Sequence, residues 1–131
     1  MIVLDTHVWV RWVNNPADLS RRARAVIEKE IREKGIYLSS ISALEVALLS
    51  SKGRLQLTMD ARDWVARSEA LPFLQFVPVD NNIALRVTEL RGPLHADPAD
   101  RIIIATTLVL GATLVTKDEK LLNYPYVTSL W

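Results

Sequence analysis

The stretch Leu94-His95-Ala96-Asp97-Pro98-Ala99-Asp100-Arg101-Ile102-Ile103-Ile104-Ala105 places two carboxylates around a proline at the start of an apolar segment. Proline is favoured at the first position of a helix, because its missing N–H has no intrahelical partner there. Asp97 is therefore predicted to be the N-cap, and Asp100 to lie near the end of the first turn. The helix that follows is apolar on almost every side as far as Gly111, which is typical of a helix buried in the middle of a fold. Acids at the open end of such a helix are costly unless they are capped, paired or bound to a metal.

The composition indicates an ordinary globular chain. It has 131 residues, of which 50% are hydrophobic and 24% charged, with a formal net charge of +1. We expect a single domain over residues 1–131, without an overall positive field for nucleic acid. The absence of cysteine excludes disulfides and thiolate metal sites. No apolar run reaches membrane-spanning length and no signal-peptide pattern opens the chain, so we expect a soluble, cytoplasmic protein with no membrane contact.

Short apolar strands alternate with helical patterns along the chain. The predicted strands cover residues 2–4, 36–38, 76–79, 113–116 and 126–128, and Pro78 places the third one nearer an edge. Helices are predicted after caps at Ser20, Asp60 and Asp80, and Gly35 is expected to close the helix before the second strand. This alternation predicts an α/β fold of three layers, α/β/α, with a mostly parallel central sheet of four to five short strands.

Five acids from four segments are expected at one edge of this sheet. They are Asp5 and Asp118 after two apolar strands, Asp97 and Asp100 at the start of the buried helix, and Glu45 in the helix after the second strand. The carboxyl ends of parallel strands and the N-termini of the helices meet at this edge, where ligands bind. A purely structural interpretation remains open for each acid. Asp5, Asp97 and Asp118 are good helix caps, and the segment from Ser42 to Glu45 matches a capping box.

Such a cluster of negative charge requires a counter-charge. Neighbouring carboxylates raise one another's pKa, and a bound cation reverses that effect. Carboxylate oxygens and water are ligands for Mg²⁺ or Mn²⁺, whereas zinc usually takes His or Cys. The two imidazoles, His7 and His95, are better explained as structural or surface groups. Mg²⁺ or Mn²⁺ held by carboxylates binds phosphate oxygens and activates water, which predicts phosphodiester hydrolysis.

Four segments, taken in order, resemble the motifs of the PIN-domain family. They are Ile2-Val3-Leu4-Asp5-Thr6-His7, Ser42-Ala43-Leu44-Glu45, Leu94-His95-Ala96-Asp97-Pro98-Ala99-Asp100-Arg101 and Leu114-Val115-Thr116-Lys117-Asp118. The resemblance spans essentially the whole chain and is most specific in the third segment. It is closest to the VapC-type toxins of bacterial toxin–antitoxin pairs. The resemblance implies a metal-dependent ribonuclease with a parallel sheet between helices, a homodimer, and inhibition by a cognate antitoxin.

The resemblance also implies four acidic site residues, namely Asp5, Glu45, Asp100 and Asp118. Asp100 rather than Asp97 is assigned as the third acid, because the family's Asp directly precedes the buried helix; Asp97 is then an accessory acid. Thr116 is predicted to orient water or a ligand. In our hypothesis Asp5, Asp100 and Asp118 hold Mg²⁺ or Mn²⁺ directly or through water. Glu45 completes the site or positions the water that attacks the phosphorus in line.

Candidates for contact with RNA phosphates are Arg11, Arg101 and Lys117, which lie closest in sequence to the proposed site. Candidate apolar anchors for protein partners are Trp9, Trp12, Trp64 and Trp131. Two other functions stay open. A phosphatase of the haloacid-dehalogenase type also has an Asp after its first strand, but requires a second Asp where this chain has His7. A non-catalytic binding module of the same fold would use its acids only as caps.

Overall fold

The computed structural model describes residues 1–131, and its helices and strands alternate along the chain. The strands are β1 (Ile2–Leu4), β2 (Ile36–Ser39), β3 (Leu74–Val77), β4 (Thr113–Val115) and β5 (Ser129–Leu130). The helices are α1 (Thr6–Asn14), α2 (Arg21–Glu33), α3 (Ser40–Ser51), α4 (Ala61–Glu69), α5 (Asn81–Thr88), α6 (Pro98–Leu110) and α7 (Glu119–Leu122), with a 3₁₀ turn at Pro16–Asp18. All strand pairings are parallel, in the order β3-β2-β1-β4-β5. The predicted α/β fold is therefore confirmed.

Two apolar clusters lie on opposite faces of the sheet, because side chains alternate along each strand. Ile2 and Leu4 join the cluster that also contains residues of α1, α2 and α4. Val3 joins the other cluster, which includes Ile103 and Ile104 of α6. The sheet is thus covered on both faces, as the continuous apolar strands predicted. None of the helices combines the length and apolar character needed to cross a membrane.

Two predicted strands are shifted along the chain. β3 begins at Leu74 and ends at Val77, immediately before Pro78, because proline cannot donate to the ladder. Its position at the edge of the sheet is as predicted. The last strand is Ser129–Leu130 rather than residues 126–128. Val127 instead packs into the second apolar cluster before the pairing with β4 begins.

The helix before β2 ends differently from the prediction. Ser20 is its N-cap, as predicted, and accepts from the N–H of Ala23 at 3.0 Å. At its other end Lys34, not Gly35, adopts the left-handed conformation, with φ 56°. Gly35 instead leaves room for a neighbouring side chain. A Cβ at this position would collide with the carboxylate of Glu30, which binds the Met1 ammonium at 3.0 Å.

Two of the four tryptophans form part of the core and are not free to anchor a partner. Trp9 and Trp64 are buried, and their ring centroids lie 4.6 Å apart. The indole N–H of Trp9 donates to the hydroxyl of Ser68 at 3.0 Å. This buried bond joins α1, which begins directly after Asp5, to α4. The prediction of partner anchors is therefore wrong for Trp9 and Trp64, because their size is used to fill the space between α1 and α4.

Replacing Ser68 by alanine is expected to lower the free energy of unfolding by about 1–3 kcal/mol, because it leaves the indole N–H buried without an acceptor. Urea unfolding followed by circular dichroism measures this change. The control is the same substitution in a Trp9→Phe background, where no donor remains. Equal costs of Ser68→Ala in both backgrounds would show that the hydrogen bond does not link the two helices.

Candidate active site

The four predicted site acids line one open pocket of about 390 Å³ at the carboxyl ends of the central strands. They are Asp5 after β1, Glu45 in α3, Asp100 in the first turn of α6, and Asp118 after β4. Asp97 is the exposed N-cap of α6, and its Oδ1 accepts from the N–H of Asp100 at 2.8 Å. The sheet therefore brings together acids from four separate segments, which the fold prediction required.

Asp5 is buried and uses both carboxylate oxygens. Its Oδ1 accepts from the N–H of Thr6 at 2.8 Å, so it caps α1. Its Oδ2 accepts from the hydroxyl of Thr116 at 2.7 Å. Capping and membership of the acidic cluster therefore coexist in the same side chain. The structural interpretation of Asp5 is correct, but it is incomplete.

Thr116 connects two of the acids. Its hydroxyl donates to Asp5 and accepts from the N–H of Asp118 at 3.0 Å. The residue has no exposed surface. The hydroxyl of Thr116 is already hydrogen-bonded on both sides, so Thr116 orients carboxylates. The sequence had instead predicted that it orients water or a ligand. It is a positioning residue.

Glu45 is held by α1 and not by its own helix. Ser39 is the N-cap of α3 and accepts from the N–H of Ile41 at 3.2 Å, which places Ser42 inside the helix. The predicted capping box is therefore wrong, because the helix begins three residues earlier than it requires. Glu45 Oε1 instead accepts from the hydroxyl of Thr6 at 2.5 Å. That hydroxyl is also hydrogen-bonded to Ser42 Oγ at 2.8 Å, in a buried position.

Two of the acids, Asp100 and Glu45, have a raised pKa. Burial, and then the charges of Asp97, Asp5, Asp118 and Glu45, raise the pKa of Asp100 to about 7. Burial is also the main cause that raises the pKa of Glu45, while the hydrogen bond from Thr6 acts in the opposite direction. No lysine or arginine forms an ion pair with any of these acids. The cluster therefore carries negative charge that the protein itself does not neutralise.

His7 is a structural neighbour of this cluster. Its Nε2 accepts from the backbone N–H of Lys117 at 3.1 Å, which places the ring proton of the neutral imidazole on Nδ1. Nδ1 lies 3.3 Å from Asp5 Oδ2. Burial is the main cause that lowers the pKa of His7, so the neutral ring is favoured. His7 joins the β4–α7 connection to Asp5, and its Nε2 lone pair is already used.

The donor set fits a hydrated hard cation better than a metal held only by protein. No group of three or more His, Asp or Glu side chains is arranged so that it could hold a metal ion. Mg²⁺ keeps several waters and usually takes only one or two carboxylates in proteins. The carboxylates of this pocket meet that requirement, and their mutual repulsion favours a cation among them.

The predicted RNA-contact residues lie in different environments. The guanidinium of Arg101 donates to the carbonyl oxygens of Leu94 and Ala96, at 2.5 and 3.1 Å. Arg101 therefore fixes the segment before Asp97, and its contact with an RNA phosphate stays a prediction. Lys117 is exposed, and Arg11 lines the acidic pocket. Two further residues that the sequence analysis missed are Arg54, on the wall of the pocket, and Thr6. The sequence signal for Arg54 is the preceding Gly53, because a glycine ends the helix that carries Glu45.

Without metal, the free energy of unfolding of the wild type is expected to fall as the pH rises from about 4 to about 7. This fall is measured relative to the Asp100→Asn variant. The Asp100 carboxyl binds its proton more tightly in the folded state, with a pKa of about 7 against an ordinary 3.8, so the folded protein holds more protons in this window. The Asp100→Asn variant has no carboxyl group at this position, so its free energy of unfolding should not show this decrease. Melting temperatures in EDTA across the pH range, with the exposed Glu28→Gln as control, provide the measurement. Parallel pH profiles for all three proteins would contradict the charge cluster.

Comparisons with known proteins agree with the fold. The PIN domain profile matches residues 2–125. Ribonuclease VapC22 of Mycobacterium tuberculosis (strain ATCC 25618 / H37Rv) is 30% identical over 132 residues, covering 99% of this chain and 98% of that protein. VapBC2 from Rickettsia felis, solved bound to a promoter DNA fragment, superposes with a TM-score of 0.75 at 20% identity, covering 99% and 98% of the two chains. FitAcB from Neisseria gonorrhoeae gives a TM-score of 0.71 at 24% identity, covering 100% and 97%. Since the profile spans nearly the whole chain and includes all four acids, the chain belongs to the PIN-domain family.

Proposed function

We propose that this protein is a metal-dependent endoribonuclease, the toxin of a toxin–antitoxin pair. The observation that carries the proposal is the convergence of Asp5, Glu45, Asp100 and Asp118 in one pocket, where none of them forms an ion pair with a lysine or arginine. The similarity to Ribonuclease VapC22 supports RNA as the substrate.

The proposed cofactor is Mg²⁺ or Mn²⁺, held directly or through water by Asp5, Asp100 and Asp118. When bound, such an ion neutralises charge on the phosphate and lowers the pKa of a bound water. Asp5 cannot turn freely, because both its oxygens accept hydrogen bonds within the protein. Thr6 similarly fixes Glu45, which completes the site or orients the attacking water.

The proposal extends to assembly and location. A single domain over residues 1–131 would act as a homodimer in the cytoplasm and be inhibited by a cognate antitoxin. The solved structures of VapBC2 and of a toxin–antitoxin complex from Klebsiella pneumoniae support a protein partner of this kind. Arg11 and Lys117 remain the proposed phosphate contacts from the sequence analysis.

The structure argues against both alternatives. A phosphatase of the haloacid-dehalogenase type needs an acid at the position of His7, whose ring instead bonds to the backbone of Lys117. A module with acids that serve only as caps accounts for Asp5, Asp97 and Asp118. It leaves Asp100 and Glu45 unexplained, because neither caps a helix and both are placed where burial raises their pKa.

Asp100→Asn is expected to abolish Mg²⁺- or Mn²⁺-dependent RNA cleavage while leaving the fold intact, since an amide is a neutral and poorer ligand for a hard cation. This side chain accepts no hydrogen bond within the protein, which makes it a cleaner test than Asp5. Gel-based cleavage assays with and without EDTA, together with circular dichroism, measure the effect. Glu28→Gln is the control, and near wild-type cleavage by Asp100→Asn would refute the assignment.

Thr116→Val is expected to lower activity by about 10- to 100-fold, the usual effect of losing a hydrogen bond to a metal-binding carboxylate. Thr116→Ser keeps the hydroxyl and should stay near the wild-type rate. The Mg²⁺ concentration that gives half-maximal cleavage should rise for the valine variant only. If serine and valine have equal effects, the methyl packing of Thr116 matters and its hydroxyl does not.

A further inference from the structure

Besides the acids, Thr6 and His7, five residues line the pocket, and the proposed reaction gives only Arg11 among them a role, as a phosphate contact. They are the aliphatic Val10, Leu49 and Leu55 and the cationic Arg11 and Arg54, which together are called the second half of the pocket. A strongly negative region therefore adjoins one that is apolar and positively charged. Because both halves belong to one continuous pocket, two neighbouring groups of a single extended ligand can occupy them.

Helix α1 contributes one wall of this second half. Val10 and Arg11 lie one turn beyond Thr6 and His7, so all four side chains share the face of α1 that points to the pocket. Arg11 therefore lines the pocket on the same side of α1 as His7.

The end of α3 contributes the other wall through a defined turn. The N–H of Gly53 donates to Ser50 O at 3.1 Å, and the N–H of Arg54 donates to Leu49 O at 2.9 Å. With Gly53 in the left-handed conformation, at φ 70°, these two bonds form a Schellman motif. The N–H of Leu55 also donates to Leu49 O, at 3.3 Å. The backbone of Arg54 and Leu55 is therefore held at the rim of the pocket.

Neither guanidinium has a partner within the protein. Arg11 and Arg54 form no ion pair and no side-chain hydrogen bond, in contrast to Arg101, which binds two carbonyl oxygens. Two unpaired cations beside an acidic site are suited to an external anion.

We propose that Arg11 and Arg54, with Val10, Leu49 and Leu55, form a subsite for the nucleotide next to the scissile phosphate of single-stranded RNA. The guanidiniums bind the phosphate of that nucleotide, for which their paired N–H groups are well suited. The aliphatic side chains contact its base or ribose without reading the sequence. This subsite offsets the repulsion between the acids and the polyanion. The inference rests on the proposed ribonuclease function.

The experiment measures RNA binding with the reaction blocked. Arg11→Gln and Arg54→Gln are each combined with Asp100→Asn, and the affinity for a short fluorescein-labelled single-stranded RNA is followed by anisotropy at several salt concentrations. Each substitution should weaken binding and reduce the slope of log K against log salt by about 0.7 for each phosphate that the protein no longer binds. Arg54→Lys keeps the charge and should retain the slope. The matched control, Arg32→Gln, removes an exposed arginine in the last turn of α2 and should change nothing.

A second measurement uses the active protein. With Asp100 restored, Arg54→Gln should raise the KM for RNA with little change in kcat, because binding shared by the ground and transition states is removed. An abasic nucleotide placed next to the mapped cleavage position should also weaken binding to the wild type. Abasic nucleotides further along the strand should not.

The outcomes separate this inference from the proposed function. If the wild type cleaves RNA, but both arginine variants match Arg32→Gln in affinity and salt slope, the subsite is refuted and the ribonuclease stands. If the wild type neither binds nor cleaves RNA, both proposals fall. If the arginine variants bind RNA normally but escape inhibition by a co-expressed antitoxin, this half of the pocket serves a protein partner and the inference is wrong.

Discussion

The hydrogen bond between Thr116 and Asp5 is the contact on which the geometry of the acidic pocket depends. β1 and β4 are adjacent and parallel, with Leu4 opposite Val115, so the residues that follow them emerge at the same level. The N–H of Asp5 donates to Val115 O at 3.0 Å, and the Thr116 hydroxyl then joins Asp5 to the turn that carries Asp118. Acids more than a hundred residues apart are thereby held at fixed positions by two short strands.

The same arrangement concentrates negative charge at one edge of the sheet. Burial and like charge hold the pKa of Asp100 at about 7, so part of the cluster is expected to be protonated near neutral pH when no cation is present. The apolar strands below it, buried on both faces, stabilise the fold against this repulsion. A ligand that binds only the folded state would restore the stability that this repulsion costs. In this pocket such a ligand is a hard cation.

Capping and chemistry do not exclude each other in this fold. Asp5, Asp97 and Asp118 each accept a backbone N–H at a helix N-terminus, so a sequence-based argument that opposes the two roles is misleading. Asp100 and Glu45 are the informative acids, because no local backbone requirement explains them. Glu45 is positioned by the hydroxyl of Thr6, which also bonds to Ser42, and the capping-box pattern of the sequence did not indicate this contact.

The sequence by itself determined the order of the elements, the edge position of β3 and the caps of most helices, and it predicted the four acids that line the pocket. These features depend on local chemistry, such as the N–H that proline lacks, the alternation of apolar residues, and carboxylates placed directly after buried strands. The tertiary structure alone decided that Trp9 and Trp64 pack together, that Arg101 binds two carbonyls while Arg11 and Arg54 stay unpaired, and that Thr6 holds Glu45. Each of these arrangements depends on side-chain directions, which adjacent residues do not specify, and the Trp9–Trp64 and Thr6–Glu45 contacts each join two different helices. They arise only once the sheet register and the helix packing have been set.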